Sequence, residues 1–250
     1  MRLLNKTALI TGATSGIGLA TAESFIANGA TVILTGRDNA KLESLKSKFG
    51  ERVTIISADL NSNEDLHRIK DILENKYGLN SIDIFFANAG IAYSTELGKT
   101  DEARYDALMN TNIKSLFFSM QTFLPLLSNG ASVVLNSAWL NSVGMPGFSI
   151  LSASKSAVRS FARSWSAELL ERKIRVNCVS PGAIDTPIFQ LEGGTAEEIA
   201  ATKKVIAERV PAGRMGTADE IANAVLFLAS DESKYMLGSE IVVDGGFAQL

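Results

Sequence analysis

The feature that most constrains this chain is a glycine-rich turn set between an apolar strand and a helix, close to its first residue. Residues 7–10 are apolar enough for a strand buried on both faces, and residues 19–26 read as a helix. Between them runs Thr11-Gly12-Ala13-Thr14-Ser15-Gly16-Ile17-Gly18. A strand that ends in such a turn and feeds a helix is the opening of a βαβ unit. Its glycines let backbone N–H groups close on a pyrophosphate, and the helix N-terminus adds partial positive charge. The spacing Gly-x-x-x-Gly-x-Gly is a variant of the commoner dinucleotide fingerprint, and its place in the chain's first strand–turn–helix gives it weight. Gly12, Thr14, Ser15, Gly16, Ile17 and Gly18 are therefore candidate cofactor contacts.

The rest of the chain keeps the same alternation. Strands are predicted at residues 31–35, 53–57, 82–86, 132–135, 175–179 and 240–243. Helices are predicted at 39–49, at 64–76, at 105–127 with Pro125 near the end, at 151–171 and at 219–229. Leu66, Ile69, Ile72 and Leu73 share one helical face. Seven strands with interposed helices predict an α/β fold, a single doubly wound Rossmann domain over 1–250 with a parallel sheet covered on both faces. No linker, repeat or low-complexity tract divides it. The least regular stretch, about 187–213, reads as a mobile segment over the substrate, with a helix at about 196–209.

Composition narrows the function classes. A chain of 250 residues, 46% hydrophobic, can bury a core without staples. The net charge is −3, and no stretch concentrates Lys and Arg, which argues against a nucleic-acid partner. No apolar run reaches the roughly 18 residues a bilayer span needs, and the start lacks a signal-peptide core. The single cysteine, Cys178, cannot pair within the chain, so a reducing, cytoplasmic setting is expected. His67 is the one histidine and sits among polar residues; no metal site and no His-based triad is expected.

Cofactor choice is read where the second strand ends, at Thr35-Gly36-Arg37-Asp38. An acidic residue there bonds a free ribose 2′-hydroxyl, and an arginine accommodates a 2′-phosphate. Gly36 leaves room and Arg37 supplies a fork of donors, so NADP(H) is preferred over NAD(H). Asp38 has two open roles: capping the next helix or reaching the ribose.

With these residues in hand, the chain resembles the short-chain dehydrogenase/reductase family along essentially its whole length. The matching motifs are Thr11-Gly12-x-x-x-Gly16-x-Gly18, Asp59 after the third strand, Asn88-Ala89-Gly90 after the fourth, and Asn112 in the long helix. Lys155, Ser180-Pro181-Gly182 with Thr186, and the ending Asp244-Gly245-Gly246-Phe247 complete them. The resemblance implies that Asp59, with Leu60 beside it, contacts the adenine, and that Asn88, Ala89 and Gly90 form the floor of the cleft. Pro181, Gly182, Ile184 and Thr186 would lie beside the nicotinamide. It also implies a small-molecule substrate and a homotetramer joined through residues 105–127, 151–171 and 243–250. Phe117, Phe118, Phe123, Phe161 and Trp165 would serve that interface or the core. Without the family, Asp59 reads as a helix cap near Asn61, and Asn88-Ala89-Gly90 as a turn.

The family's proton chemistry resembles general acid–base catalysis by a tyrosine, a lysine four residues later, a serine thirteen residues before the tyrosine, and an asparagine. Lys155 fixes the frame, so the tyrosine position is Leu151 and the serine position is Ala138. Asn112 and Lys155 remain as candidate catalytic residues. Alanine and leucine neither donate a proton nor bind an oxyanion. Losing an oxyanion donor costs about 10²–10³ in rate and losing a positioned acid about 10²–10⁴, so carbonyl reduction by the usual route should be slowed severely.

Candidate replacements are Lys155 itself, Tyr93 if it faces the cleft, and Ser137, Ser142, Ser149 or Ser152. Ala138, Leu151, Trp139, Met145, Phe148, Ile188 and Phe189 would favour an apolar ligand. Three functions stay open: an NADP(H)-dependent oxidoreductase of a small or medium apolar carbonyl or alcohol, a cofactor-binding protein acting as sensor or scaffold, and a non-redox enzyme on the same fold.

Overall fold

A computed structural model describes residues 1–189 and 195–250, together with the backbone but not the side chain of Phe189. Seven strands form one parallel sheet: β1 (Thr7–Thr11), β2 (Thr31–Gly36), β3 (Val53–Ser57), β4 (Ile82–Ala87), β5 (Leu127–Asn136), β6 (Arg175–Pro181) and β7 (Glu240–Val243). The spatial order is β3-β2-β1-β4-β5-β6-β7. The chain steps outward from β1 to β3, then returns to lay β4 on the other side of β1. The order therefore reverses between β1 and β4, and the loops leaving their C-terminal ends part to leave a crevice.

Helices α1 (Gly16–Ala27), α2 (Asn39–Phe49) and α8 (Ala218–Ala229) cover one face; α3 (Asn63–Asp71), α5 (Ser115–Phe123) and α6 (Ser149–Glu168) cover the other. The period of two along the strands explains both layers. Leu9, Phe85, Val133 and Cys178 point to Leu66, Phe123 and Val158. Their neighbours Ile10, Phe86, Val134 and Val179 point to Phe25, Leu42 and Val225. Phe85 and Phe123 meet edge to face at 5.7 Å. Two remaining helices, α4 (Glu102–Met109) and α7 (Ala196–Arg209), flank the crevice end.

The alternation read from the sequence is the observed one, with differences at the long helices. The stretch read as a helix over 105–127 is α4, then a π turn at Asn110–Lys114, then α5, then a 3₁₀ turn at Leu124–Leu126. The extra residue of a π turn rotates the side chains beyond it, and here it falls where Asn112 points inward, 3% exposed. Pro125 ends the helix, and Leu127 already pairs with Ile82 as the start of β5. The helix read over 64–76 turns π-helical at Ile72–Lys76, and that read over 151–171 begins two residues earlier and ends at Glu168. Of the irregular stretch 187–213, α7 lies where the sequence put it, fixed by a Thr195–Glu198 capping box. Residues 190–194 lie outside the described residues. No described helix is long and apolar enough to cross a membrane.

Candidate functional site

The crevice between β1 and β4 begins with contacts that only glycine permits. Gly12 has φ +61°, and a Cβ there would stand 2.9 Å from Ala89 Cα. A Cβ on Gly18 would lie 2.3 Å from the Gly12 carbonyl oxygen and 2.6 Å from Asn88 Nδ2. The loop is held in this shape by β4: Asn88 Nδ2 donates to the Thr11 and Gly12 carbonyls at 3.0 and 3.1 Å, and Thr11 Oγ1 accepts from the backbone N–H groups of Asn88 and Ala89. Asp38, Ser62, Asp101, Thr195 and Thr217 cap their helices with side chains, but Ser15 makes no such bond to α1, whose first turn holds no acidic residue. Free N–H groups, partial positive charge and a cradle that a Cβ would fill together suit a dinucleotide pyrophosphate.

The residues expected to read the adenosine lie beyond β2. Gly36 faces Thr14 so closely that a Cβ would come within 2.8 Å of its methyl. Asp38, whose role the sequence left open, caps α2: its Oδ1 accepts from Lys41 N at 3.0 Å, a bond that also holds the carboxyl below its usual range. Arg37 is exposed, with no ion-pair partner among the described residues. Asp59 does not cap α3; Ser62 does. Asp59 Oδ1 accepts from Asn61 N at 3.0 Å in an Asx turn, its carboxylate otherwise exposed, and Leu60 packs on the core beside it.

The chemical end is a cleft of about 300 Å³, bounded by Asn88, Gly90, Asn136, Lys155, Gly182 and Thr186 on its polar side. Lys155 donates to the Asn136 carbonyl at 2.9 Å, and Asn136 Nδ2 donates to Asn88 Oδ1 at 2.8 Å. Burial of the Lys155 ammonium lowers its pKa from 10.5 to about 8. Asn112 spends its amide on the backbone of Ile91, accepting from N and donating to O at 2.9 Å each, with Ser154 Oγ as a further partner. Ala138 and Leu151 both line the cleft, as their positions predict. Leu151 packs against Leu108 and Leu140, so its side chain completes a small apolar cluster.

The structure engages most of the other candidate proton donors elsewhere. Tyr93 does not line the cleft: its hydroxyl donates to the Arg104 carbonyl at 2.7 Å, and the Arg104 guanidinium lies 4.6 Å from its ring centre. Ser137 reaches the cleft wall, but its hydroxyl donates to the Lys155 carbonyl at 2.9 Å. Ser142 donates to the Trp139 carbonyl, and Ser149 is exposed. Ser152 Oγ is buried without a partner among the described residues, outside the cleft lining. Trp139, Met145, Phe148 and Ile188 line the apolar side, while the side chain of Phe189 lies outside the described residues.

Sequence reasoning missed two walls. Phe247 returns over the cleft and meets Trp139 at 4.3 Å. The signal was present: Asp244 accepts from Gly246 N and Ala248 N, and Gly245 and Gly246 have positive φ, a turn that Asp-Gly-Gly encodes. Ile206 and Arg209 of α7 also line the mouth, which the irregular flanking sequence concealed. His67 lies on exposed α3 with Nδ1 bonded to the Asn63 carbonyl, beside an open groove that gathers no set of buried polar groups.

Comparison with known proteins gives this geometry a lineage. The family model described as enoyl-(acyl carrier protein) reductase matches residues 12–248. The chain belongs to the short-chain dehydrogenase/reductase family. Among members of that family, it is 38% identical to the 3-oxoacyl-[acyl-carrier-protein] reductase FabG of Thermotoga maritima, over 98% of this chain and 99% of that one. It is 34% identical to the NADP-dependent (R)-specific alcohol dehydrogenase of Lentilactobacillus kefiri, over 98% of each. A crystal structure of a short-chain dehydrogenase/reductase from Brucella melitensis, described as glucose/ribitol dehydrogenase, superposes with a TM-score of 0.90 at 30% identity, over 100% of this chain and 99% of that one. The short-chain family identity carries with it an oxidoreductase fold that uses nicotinamide cofactors.

The buried cation at Lys155 makes stability depend on pH. The folded chain releases this proton near pH 8 and the unfolded chain near 10.5, so between those values the unfolded state holds more protons and the stability of the fold rises with pH. Replacing Lys155 with Met is expected to raise the unfolding free energy at about pH 7 by on the order of 2 kcal/mol, an advantage that shrinks toward about pH 10. Urea titrations at the two pH values measure it; an advantage that does not change with pH would mean that the ammonium is solvated.

Proposed function

We propose that this chain is an NADP(H)-dependent oxidoreductase of small or medium apolar carbonyl compounds or alcohols, in which Lys155 does the proton transfer that a tyrosine does in its relatives. The observation that carries the reading is the position of Lys155. Its ammonium sits on the floor of the cleft beside Gly90, where an added Cβ would come within 3.6 Å of Nζ, and its pKa of about 8 is in the range where a group both holds and gives up a proton near neutrality.

In this reading Gly12, Thr14, Ser15, Gly16, Ile17 and Gly18 hold the pyrophosphate. Asp59 and Leu60 border the adenine, and Arg37 takes the 2′-phosphate, free to do so because Asp38 is committed to its helix. Asn88, Ala89 and Gly90 form the floor, while Pro181, Gly182, Ile184 and Thr186 border the nicotinamide. The nicotinamide, when bound, supplies or accepts the hydride. Lys155 Nζ holds the proton that the carbonyl oxygen gains on reduction, with Asn136 fixing the amine through its carbonyl. Asn112 positions Ile91 and so the cleft wall. Apolar Leu151, Ala138 and Trp139 exclude water from the reacting carbon. The alcohol dehydrogenase of Lentilactobacillus kefiri, NADP-dependent by name, supports the cofactor preference.

A second reading is favoured by the same cleft: with Ala138 and Leu151 in place and Tyr93 engaged elsewhere, the protein binds NADP(H) without turning it over. The assembly we propose is a homotetramer. Phe117 is 41% exposed beside the stacked pair Phe161 and Trp165, whose centroids are 4.6 Å apart, an aromatic patch suited to a partner subunit.

The deciding test follows NADPH absorbance over a carbonyl panel for the unaltered chain, Lys155→Met, and the pair Ala138→Ser/Leu151→Tyr. The proposal expects slow turnover in the unaltered chain, loss in Lys155→Met with NADPH still bound, and a gain of about 10² or more in the double variant. Turnover confined to the double variant establishes the second reading instead. Arg37→Gln should weaken NADPH binding about tenfold and leave NADH nearly unchanged; equal losses for both would end the assignment of Arg37. Light scattering at micromolar concentration should give four times the chain mass, and a monomer there would refute the tetramer.

A further inference from the structure

The cleft is lined mostly by apolar residues, yet an exposed cation also lines it. Arg209, the last residue of α7, lines the cleft next to Ile206 and is exposed. Two nearby cations are paired: Lys203 Nζ lies 2.5 Å from Asp185, and Arg214 lies 2.6 Å from Glu220. Arg209 has neither an ion pair nor a hydrogen bond among the described residues. The same cleft is lined by Trp139 and Phe247, which make an edge-to-face pair, and by Phe148.

A guanidinium with no partner among the described residues, lining a largely apolar cleft, is a receptor for a carboxylate held at the rim while an apolar body fills the interior. We propose that Arg209 is the anion-binding end of the substrate site. The chain then takes ketones, or the matching alcohols, whose carbonyl-bearing apolar or aryl body enters the cleft and whose far end is a carboxylate. This rests on the reading of the cleft as the substrate site and adds what that reading lacks, a reason to prefer charged over neutral ketones. A blander role for Arg209, offsetting the carbonyl end of the α7 dipole, needs no ligand. The same free guanidinium can also meet a phosphate of the cofactor, and the experiment must separate these.

The probes are benzoylpropionate, an aryl ketone ending in a carboxylate, and its neutral amide. Trp139 lies in the cleft and Trp165 in the core of the opposite layer, so quenching of Trp139 fluorescence in a Trp165→Phe background reports occupancy. Thermal shift on the unaltered chain gives the same comparison should that background fold poorly. Titrations are run with and without NADPH. The expected result is that the acid binds at least about tenfold more tightly than the amide, that Arg209→Gln removes the preference, and that Arg209→Lys keeps part of it. Equal affinity for acid and amide, or failure of both to bind to a chain that binds NADPH, overturns the proposal. So does an Arg209→Gln variant that loses NADPH affinity while keeping its preference for the acid, since the cation then serves the cofactor. Failure to bind NADPH while the acid preference stands counts against the cofactor reading and leaves the anion site supported.

Discussion

The contact on which this structure depends is the brace between the first glycine turn and the end of β4. Asn88 donates its side-chain amide to the carbonyls of Thr11 and Gly12, and the Thr11 hydroxyl oxygen accepts from the backbone N–H groups of Asn88 and Ala89. Parallel strands whose order reverses would otherwise splay their following loops. Here the two loops are stitched at backbone distance, which requires that residues 12 and 18 carry no Cβ. The first N–H groups of α1 receive no side-chain cap from Ser15. A binding surface for anionic groups is thus a by-product of how β1 and β4 are joined.

From that brace a line of polar groups runs across the sheet ends: Asn88 to Asn136, and the Asn136 carbonyl to Lys155. Each link comes from a different strand or helix, so the position of the Lys155 amine is fixed by the sheet and not by its own flexible stem. Ser137 closes the loop by donating to the Lys155 carbonyl and accepting from Asn141 Nδ2 at 3.1 Å. Asn141 in turn bonds Glu240, which pairs with Arg159 on α6 at 3.0 Å. The amine sits between two rigid networks, in surroundings dry enough to weaken its hold on a proton.

Legibility in the sequence tracked how local each signal is. The strands of the parallel sheet were readable because helices cover both faces and the runs are apolar throughout, as at Phe85 and Phe86. Asn39 as the start of α2 and Ala196 as the start of α7 were readable because Asp38 and Thr195 cap them through side-chain bonds three residues long. The π turn at Asn110–Lys114 left no such mark, since it follows from the demand that Asn112 meet Ile91, a contact across the fold. Tyr93 followed Asn88-Ala89-Gly90 closely enough to suggest the cleft, but a carbonyl on α4 claims its hydroxyl. Phe247 reaches the site from a turn and Arg209 from the end of α7, and only the assembled structure fixes the direction of either.

The two departures at Ala138 and Leu151 show how separable the fold of such a chain is from its chemistry. Leu151 is 4% exposed and packs with Leu108 and Leu140, so a branched aliphatic side chain is at home where a phenol would stand. Ala138 adopts extended backbone at φ −166°, which asks nothing particular of its side chain. Neither residue belongs to the brace at Asn88 or to the networks that fix Lys155. Alanine and leucine at these positions, in place of the hydroxyls that the family resemblance leads one to expect, therefore leave the sheet and the lysine network undisturbed and give the cleft an apolar wall there. That wall presses in one direction on what remains: the drier the floor, the less Lys155 favours its charge, and the nearer its pKa moves to the range where an amine can exchange a proton.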